Sequence, residues 1–113
     1  MALYYDLPVF KDVYKLTLRL FEVTSNFPRE YKFTLGQDMK RDSILLVRHI
    51  YRANKVREKT VYLEQFLDSF EVLKLELRLC KDMRLTTVKQ QSEFALLMDG
   101  IGKQVTAWCN SQK

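Results

Sequence analysis

Leu63-Glu-Gln-Phe66-Leu-Asp-Ser-Phe70-Glu-Val-Leu73-Lys-Leu-Glu-Leu77-Arg-Leu-Cys80 is the stretch that decides the fold. Its apolar residues Leu63, Phe66, Phe70, Leu73, Leu77 and Cys80 recur at alternating threes and fours. That spacing, about 3.5 residues, belongs to a helix with one narrow seam, packed against nearly parallel or antiparallel neighbours. It predicts a helix from about Lys59 to Met83. The same spacing returns in Phe94, Met98, Ile101, Val105 and Trp108. Thr86 or Thr87 caps that second helix, and Thr87 with Gln90 matches a capping box, in which each side chain accepts from the other residue's backbone N–H. Two seamed helices joined by about three residues must lie antiparallel.

Working towards the N-terminus, a first helix is predicted from about Asp6 to Ser25. Asp6 can cap it and Pro8 suits its first turn. Phe10, Val13, Tyr14, Thr17, Leu20, Phe21 and Thr24 follow the helical period. Pro28 blocks continuation and pushes Phe27 towards an extended conformation. After the loop Phe27–Phe33, Thr34 and Gln37 form another capping-box pattern and start a helix to about Ala53, with Asn54 as a left-handed terminator. Gly100 and Gly102 fall inside the last helix at a cost of about 1 kcal/mol each, which predicts close approach by a neighbouring backbone. The three glycines and two prolines of the whole chain are too few for an all-β fold. The expectation is an all-α fold, one domain over residues 1–113, built as an up-down-up-down antiparallel four-helix bundle.

The charge is unevenly placed. Of a formal net +5, all resides in residues 40–59, which hold seven basic side chains (Lys40, Arg41, Arg48, Arg52, Lys55, Arg57, Lys59) against Asp42 and Glu58. The rest of the chain balances to zero. At about 100° per residue, Arg41, Arg48, Arg52 and Lys55 form one narrow stripe opposite Leu35, Met39, Leu46, Ile50 and Ala53. An ordinary solvated face mixes signs, because like charges one turn apart repel. A stripe rich in arginine suits phosphate, which guanidinium binds in a bidentate way. All seven cations are therefore candidate nucleic-acid-binding residues for RNA or DNA. With no base-reading motif, binding would use shape and backbone and weaken with salt. Ile44, Val47 and Tyr51 form a second apolar arc on the same helix. A bundle helix needs only one such face, so these three are the candidate oligomer interface.

Chemistry for catalysis is missing. His49 is the only histidine, beside the basic stripe. No zinc-ligand spacing, di-iron Glu-x-x-His pattern or phosphate-cradling glycine loop occurs. The expectation is a non-enzyme with no catalytic residues, metal or cofactor. Glu64, Asp68, Glu71 and Glu76 read as the solvent face of the third helix. Cys80 and Cys109 read as buried reduced thiols. The start MALYYDLPVF has no signal-peptide character, and no stretch reaches the roughly 20 apolar residues of a membrane span. A cytoplasmic location with no membrane association follows.

Four segments together carry a resemblance: Phe27-Pro-Arg-Glu-Tyr-Lys-Phe-Thr-Leu-Gly-Gln37, Ile50-Tyr-Arg-Ala-Asn54, Leu77-Arg-Leu-Cys-Lys-Asp82 and Ile101-Gly-Lys-Gln-Val-Thr-Ala-Trp108. In this order they resemble the accessory variability determinant proteins of diversity-generating retroelements and, more distantly, the four-helix proteins encoded in bacterial rRNA intervening sequences. The resemblance implies a four-helix bundle, a homopentameric barrel, a basic surface for RNA or DNA, and a reverse transcriptase partner in mutagenic retrohoming. The family's basic region falls on Arg41, Arg48, Arg52 and their neighbours. Relatives often carry paired glycines before the final tryptophan, where this chain has Thr106-Ala107. An Asn-Ile-Ala-Glu-Gly-like ending of the second helix would mark the intervening-sequence branch, a structural interaction protein with no transcriptase partner. Tyr51-Arg-Ala-Asn54 stands there instead and favours the retroelement branch.

Overall fold

The computed structural model describes residues 3–113. Five helices form among them: α1 (Pro8–Thr24), the single turn α2 (Arg29–Lys32), α3 (Leu35–Lys55), α4 (Thr60–Asp82) and α5 (Val88–Ser111). The four long ones make the bundle. α1 packs on α3 and α5, and α4 packs on α3 and α5, so helices adjacent in sequence are adjacent in space. Cross-helix contacts fix the directions. Lys40 reaches Phe21 while Tyr51 meets Tyr4. Cys80 meets Met39 while Ser69 meets His49. Arg19 pairs with Glu93 while Gln104 bonds Asp12. Every neighbouring pair is antiparallel, the predicted up-down-up-down arrangement.

The core follows the seams. Leu63, Phe66, Phe70, Leu73, Leu77 and Cys80 of α4 are all buried, as are Phe94, Met98, Ile101 and Val105 of α5. Each such side chain contributes about 1.5–3 kcal/mol on leaving water. Trp108 is half-buried, and Cys109 replaces it in the core. Both cysteines are buried and unbridged. In α1 the buried row is Val9, Val13, Leu16, Leu20 and Val23. Tyr14 and Phe21, predicted to be on the core side, are instead 52% and 41% exposed. They sit about 120–140° round from that row, where a long aromatic ring reaches the bundle's edge.

Helix ends were the least legible feature. The Thr87–Gln90 capping box forms in both directions. The Thr34–Gln37 box does not: the Thr34 hydroxyl donates to the Glu30 carbonyl at 2.6 Å and closes the α2 turn instead. Asp6 is no cap either. The chain enters through a 3-10 turn, Tyr4–Asp6, which leaves Leu7 at the cap position with Pro8 as first helical residue. Nor is Asn54 left-handed, since α3 runs on to Lys55 and leaves through extended Val56. The one non-glycine residue with positive φ among those described is Arg84, at 59°. It ends α4 in a Schellman motif, with Arg84 N–H on Lys81 O and Leu85 N–H on Cys80 O.

The glycine expectation also changes. A Cβ at Gly100 would meet nothing within 4 Å, and one at Gly102 would meet only Phe70 at 3.4 Å. The close approach is at Gly36, where a Cβ would lie 3.2 Å from the Tyr31 carbonyl oxygen. That glycine lets α2 fold back onto the start of α3.

Candidate nucleic-acid interface

The outer face of α3 exists because its inner face is filled. Met39, Leu46, Ile50 and Ala53 are each at most 1% exposed. The wheel then turns Arg41, Arg48, Arg52 and Lys55 away from the core. Arg41, Arg48 and Lys55 are exposed and Arg52 is half-buried.

The stripe is not uniform. At its start Arg41 is held by acids of its own helix, with Asp38 at 3.2 Å and Asp42 at 3.7 Å. Lys40 lies over the Phe21 ring, 5.5 Å from its centroid. Further along, no carboxylate pairs with Arg48, Arg52, Lys55 or Arg57 among the described residues. Lys55 sits 5.0 Å from the Tyr51 ring centroid. Lys59 does a different job. Its ammonium donates to the carbonyls of Ala53 at 2.8 Å, Asn54 at 3.3 Å and Val56 at 2.8 Å. All three of its donors are used in closing the C-terminal end of α3. A cation there also offsets the negative end of the helix dipole.

Beside Arg41 lies a buried acid that the sequence had placed on the solvent face. Glu76 is only 8% exposed. On the α4 wheel it falls next to Leu73 and Cys80, on the side turned to α3, where Asp42 and Asp38 face it. Burial, a hydrogen bond with Asp42 and the charges of Asp42 and Asp38 push its carboxyl up to about 8, against the pull of Arg41. Its Oε1 has no hydrogen-bond partner among the described residues. Desolvation, with the Glu76 charge behind it, pushes the Cys80 thiol up to about 12. His49 faces α4, its Nε2 3.2 Å from Ser69 Oγ. Burial and then the Arg48 charge lower its pKa.

Of the expected interface residues, Ile44 is 53% exposed, Val47 is half-buried against the core, and Tyr51 packs edge-to-face on Tyr4 at 5.2 Å. A second apolar row escaped the sequence reading. Val72, Leu75, Leu79 and Met83 on the outer side of α4 are 50%, 58%, 41% and 42% exposed. Their three-four-four spacing was visible, but the stronger seam of the same helix masked it.

An open groove of about 930 Å³ runs between α4 and α5 over Leu67, Phe70, Phe94 and Met98. Most of its charged rim is paired within single helices, Lys74 with Glu71, Arg78 with Asp82 and Lys103 with Asp99, while Lys81 has no ion pair among the described residues. Among the described residues no group of three or more His, Cys, Asp or Glu side chains could hold a metal ion. Among the described residues no helix is long and apolar enough to cross a membrane.

The sequence model of the bAvd-like family matches residues 9–112, nearly the whole chain. The chain belongs to the bAvd-like family. It is thus an Avd-like four-helix protein. No curated protein matches it.

Proposed function

We propose that this Avd-like chain is a non-enzymatic accessory factor that binds RNA or DNA and assists a retroelement reverse transcriptase in mutagenic retrohoming, in the cytoplasm, as a homopentamer. The observation that carries the nucleic-acid reading is the run Arg48, Arg52, Lys55 and Arg57, unmatched by any described carboxylate. A local cationic field on a rigid helix draws polyanions and holds phosphates without reading bases. Arg41 and Lys40 extend it more weakly, because acids or an aromatic ring already engage them.

Self-association draws on the two apolar surfaces flanking the stripe. Ile44 and Val47 lie on the α1 side, and Val72, Leu75 and Leu79 lie on the outer side of α4. A ring needs two different faces on each subunit, one meeting the other on the next copy. Tyr51, packed on Tyr4 and 42% exposed, lies at the edge of the first of these surfaces.

Charge reversal at both Arg48 and Arg52 tests the reading. It should abolish RNA binding at physiological salt while circular dichroism shows an intact bundle; undiminished binding would contradict it. Light scattering tests the ring, since a 13.5 kDa species at every concentration would remove the pentamer. A gene neighbourhood with a reverse transcriptase and template repeat supports the retroelement role, and its absence favours the intervening-sequence type of structural protein.

A further inference from the structure

The unmatched cations of α3 run into a knot of aromatic rings at the end of the bundle where α1 begins and α3 stops. Tyr4 is its centre. Its ring meets Tyr5 at 5.4 Å, Phe10 at 5.3 Å and Tyr51 at 5.2 Å, each edge-to-face. Such contacts fix ring orientation and contribute about 0.5–1.5 kcal/mol each beyond area burial. The knot is not a closed core. Tyr5 is 50% exposed and Tyr51 is 42% exposed. Lys55 stands 5.0 Å from the Tyr51 centroid. Arg48 and Arg52 lie on the same helix, within about 5 Å of Tyr51 along its axis at 1.5 Å per residue. Positive charge and half-open, rigidly held π-surfaces thus occur within the span of one or two nucleotides.

This pairing discriminates between forms of nucleic acid. A duplex offers phosphates to the arginines but keeps its bases stacked inside. A single strand offers phosphates and free base faces together, and aromatic side chains beside a cationic track are how proteins hold it. Rings without adjacent charge would read as a protein contact, and charge without rings as a phosphate track indifferent to strandedness.

We infer that the corner formed by Tyr5 and Tyr51 around Tyr4, continuous with Arg48, Arg52 and Lys55, is a base-stacking subsite, so that the ligand of the α3 stripe is single-stranded nucleic acid. The inference rests on the stripe binding phosphates and adds what the strand's bases do. Stacking uses the ring face, so RNA and single-stranded DNA share the chemistry.

The test compares fluorescence anisotropy of labelled single-stranded RNA, single-stranded DNA and duplex DNA, each of about 16 nucleotides, the upper end of single-strand site sizes. The intact chain is set against Tyr5→Ala/Tyr51→Ala and Tyr5→Phe/Tyr51→Phe. The alanine pair should lose about tenfold or more on either single strand, given the usual strength of base–aromatic stacking. Its duplex affinity should stay within about twofold and its salt slope should not change, since no phosphate contact is removed. The phenylalanine pair should bind like the parent, which also guards against misfolding as the cause. Equal losses on single strands and duplex, or no loss on single strands, would overturn the subsite. So would an altered molar mass of the alanine pair in light scattering, which would assign the corner to a protein contact. If Arg48→Glu/Arg52→Glu abolishes binding and the tyrosine variants do nothing, the stacking inference falls and the stripe stands. If the parent chain binds none of the three, both fall.

Discussion

The two halves of α3 carry similar numbers of cations and treat them differently. In the first half Arg41 is clasped by Asp38 and Asp42, and Glu76 of α4 is buried beside them. In the second half Arg48, Arg52 and Lys55 meet no described carboxylate, and aromatic rings lie alongside instead. The sequence already sets Asp38 and Asp42 against the cations of the first half and places no acid in the second. Packing reinforces the difference, because α4 brings Glu76 to one end of the helix and a serine, Ser69, to the other. The field that a polyanion meets is therefore concentrated over the last turns of α3.

The largest effect should come from breaking the second half. Arg48→Glu/Arg52→Glu should weaken RNA binding about a hundredfold or more, whereas Arg41→Gln should change it less than about threefold. Anisotropy titrations at fixed salt compare the two. Equal losses would erase the distinction between the halves.

Next comes the acid of the first half. The Glu76 carboxyl sits at about 8 in the folded chain against an ordinary 4.5. The folded state therefore keeps a proton that the unfolded state releases between those values. Stability should fall as pH rises through that window and level off above about 8, by up to about 5 kcal/mol. Glu76→Gln should remove this part of the pH dependence and be the more stable protein at pH 8.5, as read by urea unfolding at pH 5 and 8.5. A parent and variant with parallel profiles would refute it.

A smaller effect sharpens the boundary of the second half. Lys59→Met should cost about 1–3 kcal/mol, through loss of charge-assisted hydrogen bonds to the end of α3, with the salt slope of RNA binding unchanged. A slope lowered by one contact would return Lys59 to the phosphate ligands. The smallest effect lies far from the stripe. Gly100→Ala should stabilise by about 1 kcal/mol in thermal melts and leave binding alone, since a Cβ there meets nothing within 4 Å.

Those contrasts mark what could be read in advance. The bundle was legible because the α4 and α5 seams repeat over many turns, and each mispacked residue would cost several kcal/mol. The stripe was legible for the same geometric reason. Glu76 was not, since its burial depends on Asp42 and Asp38 lying opposite in another helix, and its neighbours Leu75 and Leu77 do not announce it. The tie of Lys59 to the end of α3 was not legible because a long side chain can fold back onto carbonyls several residues earlier, which no spacing encodes. Asp6 and Thr34 carry correct cap chemistry, yet a 3-10 turn before one and the α2 turn before the other claimed those segments first. The aromatic corner was hidden because Tyr4, which gathers Tyr5 and Phe10, reaches Tyr51 only through the antiparallel pairing of α1 with α3.

Arginine-selective chemical labelling read by mass spectrometry, with and without single-stranded RNA, tests most directly where the ligand lies. RNA should shield Arg48, Arg52 and Arg57 while Arg41 reacts at its unliganded rate. Shielding of Arg41 to the same degree, or undiminished labelling of Arg48 and Arg52 in the complex, would contradict the account.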